Sequence, residues 1–229
     1  MRKVVFAVEY LAHKSDDGRE QILIEHLVGT AILSSKFATT FGLSDLAYNI
    51  GLYHDLGKYS PGFQNRILND GPKVDHSSAG AKEIRKLPLG AFCIAGHHGG
   101  LMNKGSKFSL DDGTLYSRFQ KKLAGKLDYS VFRKEARLLE NIPEMHKKSM
   151  QFCDNDFFSY MLLTRMLFSC LVDADFLDTE KFMCNGSVLR GRFNTVSEIY
   201  QRYNAYIATF NSEKNAINNK RNEILEECL

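Results

Sequence analysis

The chain has 229 residues, which suits one sizeable hydrophobic core and is short for two complete domains. Hydrophobic residues make up 44% and charged residues 25% of the sequence, as in ordinary soluble globular proteins, so an intrinsically disordered chain is excluded. The formal charge of +3 permits a nucleic-acid partner without requiring one.

The five cysteines are scattered and none has C-x-x-C spacing, which argues against a disulfide framework or a thiolate zinc site. A reducing cytoplasm fits them best. The apolar part of the N-terminus is interrupted by Glu9 and lacks a small-residue cleavage site, so we predict no signal peptide. No apolar run approaches the roughly 18 residues that a membrane helix needs, and we therefore expect a cytoplasmic protein without a membrane partner.

Helical periodicity dominates the chain, and it predicts a first helix over residues 19–41 that ends before Gly42. Ser44 is the expected N-cap of a second helix, which reaches His54. Only residues 3–8 have the pattern of an extended segment. Further helices are predicted over residues 62–68, 77–86, 89–97, 115–127, 130–139, 156–177, 193–210 and 212–228.

The stretch 99–113 is too rich in glycine and polar residues for a helix, and we predict a long loop there. Long loops inside compact domains are often functional. We expect a main domain over residues 1–210 and a separate C-terminal helix over residues 211–229. That helix has an apolar face at Ile217, Ile224 and Leu225, which is typical of a linker that leads into another domain.

Histidines recur in short, polar contexts, most of them beside glycine, and a cluster of carboxylates follows far downstream. Imidazole and carboxylate without thiolate form a ligand set that suits Fe, Mn, Co, Ni or Zn in a catalytic site. A lone histidine such as His13 or His146 is more often a surface or hydrogen-bonded residue, but several contexts of one kind together indicate a metal site. The contexts are EHLVGTA (His26), YHDLGK (His54 and Asp55), VDHSSAG (His76), AGHHGGL (His97 and His98) and SCLVDADFLDTE (Asp173, Asp175 and Asp178).

Taken in order, these motifs resemble the HD phosphohydrolase superfamily, and in detail its CRISPR-associated branch, the nuclease domain of the type I effector helicase-nuclease of subtype C. The resemblance covers residues from about 10 to 182 and implies an all-α helical bundle, an HD domain with a metal site in its helical core. No G-x-x-x-x-G-K-[ST] motif occurs, so the resemblance implies the nuclease part alone, with residues 211–229 leading toward an absent helicase. It rests on AHK, EHL, GLYHDLGKYS with the nearby FQ, VDHSSAGA, AGHHGGL and LFSCLVDADFLDTEKF.

The resemblance further implies two divalent transition-metal ions, Mn, Fe, Ni or Co, with Mg as another candidate. A later aspartate completes the first ligand group. Asp175 is the first choice because it matches the family's Ala-Asp pair, and Asp173 is the alternative. Two residues apart on a helix is about 200° of rotation, so both cannot face one ion. Asp178 is expected to be a surface or capping carboxylate. The implied ligands are His26, His54 and Asp55 with Asp175 for one ion, and His76, His97 and His98 for the second, with Asp55 bridging both.

Lys58 follows His54 and Asp55 by four and three residues and lies on their side of a helical turn. Its ammonium would neutralise a scissile phosphate or orient Asp55. We predict Asp55 and Lys58 as the catalytic residues. The alternative is a solvated lysine that the helix dipole favours at a C-terminus.

The family implies a nuclease that acts on single-stranded DNA in antiviral defence, with a helicase and a CRISPR surveillance complex as partners. The alternative is a nucleotide phosphohydrolase or cyclic-nucleotide phosphodiesterase of the same superfamily, against which stands the absence of an H-H-E…D-G-x-G-Y-P stretch. A third reading is a metal-stabilised binding module without turnover. Side chains that would contact a DNA strand are the basic Lys104, Lys107, Arg118, Lys121 and Lys122 and the aromatic Phe63, Phe108 and Tyr116.

Overall fold

The structure, a computed structural model, describes residues 9–108, 113–134, 142–186, 188, 191, 193–209 and 215–228. The chain divides into two compact units, Met1–Val188 and Leu189–Leu229. The extended segment predicted at residues 3–8 lies outside the described residues.

The first unit is built from helices, and the predicted all-α class is confirmed. Most of the helices predicted from periodicity are present, with shifted ends. The helices are α1 (Leu23–Ala38), α2 (Ser44–Tyr53), α3 (Pro61–Asn69), α4 (Ser77–Glu83), α5 (Pro88–Gly96), α6 (Leu115–Gln120), α7 (Ile142–Phe152) and α8 (Phe157–Met183).

A small hairpin precedes α1, where the sequence predicted the start of a helix. Strand β1 (Leu11–Lys14) pairs antiparallel with β2 (Glu20–Ile22), so the first helix begins at Leu23 and not at residue 19. The turn closes at Gly18, whose φ of 88° is in the left-handed region that glycine enters without strain. The side chain of Gln64 binds both backbone groups of Leu11, donating to its carbonyl and accepting from its N–H, and so anchors β1 to α3.

Two predicted helices are shorter in the structure, and one helix was not predicted. The stretch 115–127 forms α6, which ends where Lys121 has an extended ψ of 128°, and then a separate 3₁₀ turn at Gly125–Leu127. Of the stretch 130–139, the described part is a 3₁₀ turn at Ser130–Lys134. Helix α7 was missed; its Pro143 lies in the first helical turn, where a missing N–H costs no hydrogen bond.

The core of the first unit lies where α1 packs on α2 and α8, and where α5 packs on α4 and α8. Helix α1 buries residues at positions 23, 26, 27, 30, 31, 34 and 38, which form a single helical stripe. His26 belongs to that stripe beside Leu27. The packing of α1 therefore directs an imidazole into the interior, where it is fully buried.

Helix α8 begins at a cap, since Asp156 accepts a hydrogen bond from the Ser159 N–H at 2.6 Å. This helix is long and apolar enough to cross a membrane, contrary to the sequence expectation. The core helix of a soluble protein can have the same length and composition. Here α8 packs on α1 and α5 and carries Asp175 toward His26.

The second unit contains α9 (Val196–Ile207) and α10 (Ala216–Cys228). Helix α9 begins with a capping box, in which Thr195 and Glu198 each bind the other's backbone N–H. The sequence predicted a domain boundary at residue 210, whereas the two compact units of the structure divide after residue 188. The predicted boundary stays a prediction.

Candidate metal centre

Two histidines of the candidate site directly follow a helix, and both use the same hydrogen bond. His54 follows α2 and donates Nδ1–H to the Gly51 carbonyl at 2.7 Å, and His97 follows α5 and donates Nδ1–H to the Ile94 carbonyl at 2.7 Å. Each bond uses a carbonyl in the last turn of the helix. Because Nδ1 is the donor, Nε2 of each ring faces the cluster, and in the neutral ring it offers a lone pair.

His76 precedes α4, and a glycine lets its backbone approach the His54–Asp55 segment closely. A Cβ placed on Gly57 would lie 2.2 Å from the His76 carbonyl oxygen, so only glycine fits at this position of the turn. The side chain of His76 then lies with Nε2 3.5 Å from Asp55 Oδ1 and 2.7 Å from His98 Nε2.

The predicted ligands converge into two groups that share Asp55. On one side, Asp55 Oδ2 lies 3.6 Å from His26 Nε2 and 3.3 Å from His54 Nε2, and Asp175 Oδ1 completes the group at 3.3 Å from His26 Nε2. On the other side, Asp55 Oδ1 lies 3.3 Å from His97 Nε2. Each oxygen of one carboxylate therefore faces its own group of imidazoles. The groups are His26, His54, Asp55 and Asp175, and Asp55, His76, His97 and His98.

The donor atoms fit divalent ions better than they fit one another. Separations of 3.3–3.6 Å are long for hydrogen bonds and lie at or slightly above the roughly 3.0–3.4 Å between ligands that are about 2.1 Å from a common ion. Nε2 of His26, His54 and His97 and Oδ1 of Asp55 are buried and make no hydrogen bond, whereas Asp55 Oδ2 has the Lys58 ammonium at 2.8 Å. Such atoms are costly to bury unless a cation satisfies them.

The two groups differ in their electrostatics. Burial disfavours a charged imidazole, but the carboxylates of Asp55 and Asp175 outweigh burial and raise the pKa of His54 to about 10. Burial would likewise raise the pKa of Asp55, but Lys58 and His54 hold it well below its usual range. In the second group burial lowers the pKa of His76, and that of His98 to about 4, which favours neutral imidazoles at pH 7. Their Nε2 atoms lie 2.7 Å apart and share a hydrogen bond, which a bound ion would replace.

A family model described as HD domain matches residues 23–147, which is more than half of the chain. The chain belongs to the HD-domain family. Membership indicates a metal-dependent phosphohydrolase, and the two ligand groups agree with it. No curated protein matches the chain.

Lys58 of the HD domain is buried, with 4% of its surface exposed, so the reading as a solvated lysine is wrong. Its ammonium lies 2.8 Å from Asp55 Oδ2 and donates to His13 Nε2 at 3.1 Å and to the Ala12 carbonyl at 3.3 Å. His13 accepts because its Nδ1–H is directed to Gln21 Oε1, at 2.7 Å. The ammonium is thus directed at Asp55, which favours the orienting role predicted for it.

Asp178 is not the surface carboxylate that the sequence predicted. It lies one turn after Asp175 on α8, its side chain is 13% exposed, and its Oδ2 accepts from His26 Nδ1 and from Gln21 Nε2, both at 2.8 Å. A carboxylate on the far nitrogen of a ligand histidine fixes the ring and makes it a stronger ligand. Asp173, in contrast, is exposed, so of the two alternatives it is Asp175 that the structure brings to the cluster.

Several side chains proposed to contact DNA have other partners in the HD domain. Arg118 and Lys121 both lie within 3.1 Å of Asp75 Oδ2. Phe63 is buried against the His76 ring at 5.2 Å and so packs beside the cluster. Phe108 is 76% exposed, and Tyr116 is half-buried at a cleft described below. Lys104, Lys107 and Lys122 are exposed.

Proposed function

We propose that this HD domain is a metal-dependent nuclease that hydrolyses phosphodiester bonds of single-stranded DNA. The observation that carries the proposal is the pair of ligand groups that share Asp55, one on each carboxylate oxygen. Two-metal sites occur in many enzymes that cleave phosphate esters, and a carboxylate shared by two ligand groups is suited to one.

Each residue has a defined part in this mechanism. His26, His54, Asp55 and Asp175 would hold one ion, and His76, His97 and His98 with Asp55 would hold the other. Bound divalent ions would supply a water of lowered pKa and neutralise the charge that develops on the phosphate. Lys58 keeps the shared carboxylate oriented. Asp178 and the carbonyls of Gly51 and Ile94 keep the imidazole Nε2 atoms directed inward.

Access to the centre supports a polymeric substrate. His54, Asp55 and His97 are buried, whereas His98 is exposed and lines, with His76, an open groove of about 410 Å³. At Gly99 and Gly100 in the wall of this groove, an added Cβ would meet no atom within 4 Å. A strand can therefore reach the second ligand group without a closed nucleotide pocket in its way.

The biological setting is proposed from the sequence motifs. The stretches GLYHDLGKYS, AGHHGGL and LFSCLVDADFLDTEKF resemble the CRISPR-associated branch of the superfamily. We therefore propose that the nuclease acts in the cytoplasm with a helicase and a surveillance complex that exposes single-stranded DNA.

A second function, as a nucleotide phosphohydrolase or cyclic-nucleotide phosphodiesterase, is favoured by one observation. The His26, His54, Asp55 and Asp175 group is by itself the H…HD…D ligand set of a one-metal enzyme, and it is the more buried of the two groups. In that case the second group would stay without an ion during turnover.

In the test, purified protein is incubated separately with circular single-stranded DNA, with nucleoside triphosphates and with cyclic nucleotides. Each substrate is tried with Mn, Co, Ni or Mg. We expect the circle to be cut, faster with the transition metals than with Mg because imidazoles outnumber carboxylates among the ligands. Turnover of the nucleotides alone would establish the second function. Metal binding with no turnover of any substrate would indicate a binding module.

Asp55→Ala removes the ligand that both groups share. We expect this variant to fold, to bind less metal and to lose DNA cleavage. Its matched control is Asp173→Ala, which removes an exposed carboxylate of the neighbouring helix. Elemental analysis and the circular-DNA assay measure both effects, and undiminished cleavage by Asp55→Ala would refute the assignment.

A further inference from the structure

Beside the metal centre lies a second concavity, an aromatic cleft of about 750 Å³. Three segments form its walls: the start of α5, the loop 101–104 with α6, and the first half of α8. Its size is in the range of small-molecule sites in proteins. Its apolar lining includes Phe92, Tyr116, Phe119, Phe157, Tyr160 and Met161.

The aromatic cleft adjoins the groove that reaches the metal centre. Leu101 and Met102 line both concavities. The two residues follow His98 by three and four positions, so the loop that begins at the second ligand group forms part of the wall of the aromatic cleft. A chain that crosses the second ligand group therefore passes beside the aromatic cleft.

The charge of the aromatic cleft selects the kind of occupant. Arg85, Lys104 and Arg165 line it, and none of its lining residues among the described parts of the chain carries a carboxylate. Asn103 adds an amide that can bind the edge of a base. Aromatic faces beneath a cationic rim are what single-stranded nucleic acid requires, because bases stack on the rings and phosphates bind the cations.

We propose that the aromatic cleft binds unstacked bases of the strand whose phosphodiester bond lies at the metal centre. The inference rests on the proposed nuclease function and deepens it, because it assigns the adjoining part of the substrate to a site of its own. Stacking does not depend on base identity, so we expect this site to hold the strand without sequence preference.

The exposed residues at the N-terminus of α8 provide a matched pair of variants. Phe157 is 74% exposed and lines the aromatic cleft, whereas the adjacent Phe158 is 72% exposed and is not among the cleft residues. Removing either ring costs little core packing, so both alanine variants should fold. Arg165→Gln tests the cationic rim, since Arg165 is also exposed.

Binding is measured on the full chain with metal removed by a chelator, so that no strand is cut. The probes are a fluorescein-labelled oligothymidylate of about 12 nucleotides and an abasic strand with the same number of phosphates. We expect the oligothymidylate to bind more tightly. Phe157→Ala should weaken its binding by about 5- to 100-fold and leave the abasic strand unaffected, while Phe158→Ala changes neither. Arg165→Gln should weaken the binding of both strands. It should also lower the salt dependence of their affinity by the equivalent of about one phosphate contact.

The outcomes separate this inference from the nuclease proposal. Equal binding of the two strands, or equal effects of Phe157→Ala and Phe158→Ala, would overturn the base site even if the metal-loaded protein cuts DNA. Base-dependent binding that Phe157→Ala abolishes would support the base site even if the metal-loaded protein cuts no DNA, in which case the nuclease function is refuted on its own.

Discussion

At the scale of the residue, the metal centre depends on which ring nitrogen of each histidine carries the proton. Nδ1 of His54 and His97 binds a backbone carbonyl, and Nδ1 of His26 binds Asp178. These bonds leave Nε2 as the atom that faces Asp55 or Asp175. The orientation of the ligands is thus set by hydrogen bonds outside the cluster, and it is present before an ion binds.

Asp178→Asn tests this orientation directly. The amide accepts a hydrogen bond less strongly than a carboxylate, so His26 becomes a weaker and less fixed ligand, and we expect metal affinity to fall by about 10- to 100-fold. Asp173→Asn on the same helix is the control, because its side chain is exposed. Titration with Mn or Co followed by calorimetry measures both variants, and equal affinities for them would contradict the role of Asp178.

The residues of the candidate cluster could be predicted from the sequence, but the residues that orient them could not. His26, His54, Asp55 and Asp175 stand in motifs whose spacing is characteristic of the superfamily. Asp178 shares a helix face with Asp175, which was the available signal. Its partner Gln21, however, belongs to a hairpin that helical periodicity did not reveal, because three residues of β2 carry too little pattern to identify a strand.

At the scale of the element, the hairpin β1–β2 extends the polar network beyond the helices. Lys58 donates to His13 on β1, His13 donates to Gln21 on β2, and Gln21 donates to Asp178 on α8. Both ends of this chain of hydrogen bonds meet the cluster, one at Asp55 and the other at His26. The hairpin therefore couples the orientation of two ligands that belong to different elements.

Gly29→Ala should perturb the contact between Asp178 and His26. Gly29 lies on α1, one turn after His26. A Cβ at Gly29 would lie 2.1 Å from Asp178 Oδ1, so the carboxylate must move away from His26. We expect metal affinity to fall although the substituted residue is not a ligand. In an Asp178→Ala background the same substitution should have no further effect, because the clashing group is absent. Equal losses in both backgrounds, measured by metal titration, would show that the effect does not pass through Asp178.

Asp75 joins α4 to α6 and holds the segment that carries His76. It accepts hydrogen bonds from the N–H and the hydroxyl of Ser78, and its Oδ2 pairs with Arg118 and Lys121. Burial opposes ionisation, but these partners outweigh it and hold the pKa of Asp75 well below its usual range. The carboxylate therefore stabilises the folded chain above its ordinary pKa, near 4, and the stabilisation is lost as pH falls below that value.

We accordingly expect Asp75→Asn to lower the free energy of unfolding by about 1–3 kcal/mol at pH 7. The difference from wild type should shrink as pH falls below about 4. Asp128→Asn is the control, because Asp128 also accepts from a backbone N–H two residues on but is fully exposed. Urea unfolding at a series of pH values measures both, and a pH-independent difference would contradict the ionic origin of the effect.

The elements were predicted best where local chemistry alone decides them. The helix predicted from residue 156 has Asp156 as its cap. Ser44, predicted as the cap of α2, is instead the first residue inside that helix, and no side chain caps it. Helix α7 and the end of α6 at Gln120 lie in the long connection before α8, where periodicity within one segment does not determine the structure. The convergence of candidate ligands from distant elements likewise follows from tertiary packing. The recurrence of histidine contexts predicted that they form one site, and the resemblance to a family predicted how they are grouped.

At the scale of the whole molecule, the ligands connect segments that are distant along the chain. His26 and Asp175 are separated by 149 positions, yet their side chains lie 3.3 Å apart. Ions that bind this arrangement have no equivalent site in the unfolded chain, so metal binding contributes to folding stability. The buried imidazoles and carboxylates, which oppose folding while they lack partners, become part of what holds α1 against α8.

Chelation should therefore destabilise the wild-type chain. At a metal concentration of about 100 times the dissociation constant, binding stabilises the native state by about 2.7 kcal/mol, which for a chain of this size corresponds to a Tm shift of roughly 5–10 °C. We expect EDTA to remove that shift in wild type and to leave the Tm of Asp55→Ala almost unchanged, since the variant has lost the shared ligand. Thermal unfolding monitored by circular dichroism measures both. An equal response of the two proteins to EDTA would place the stabilising ion away from Asp55, and with it the centre from which the proposed function is argued.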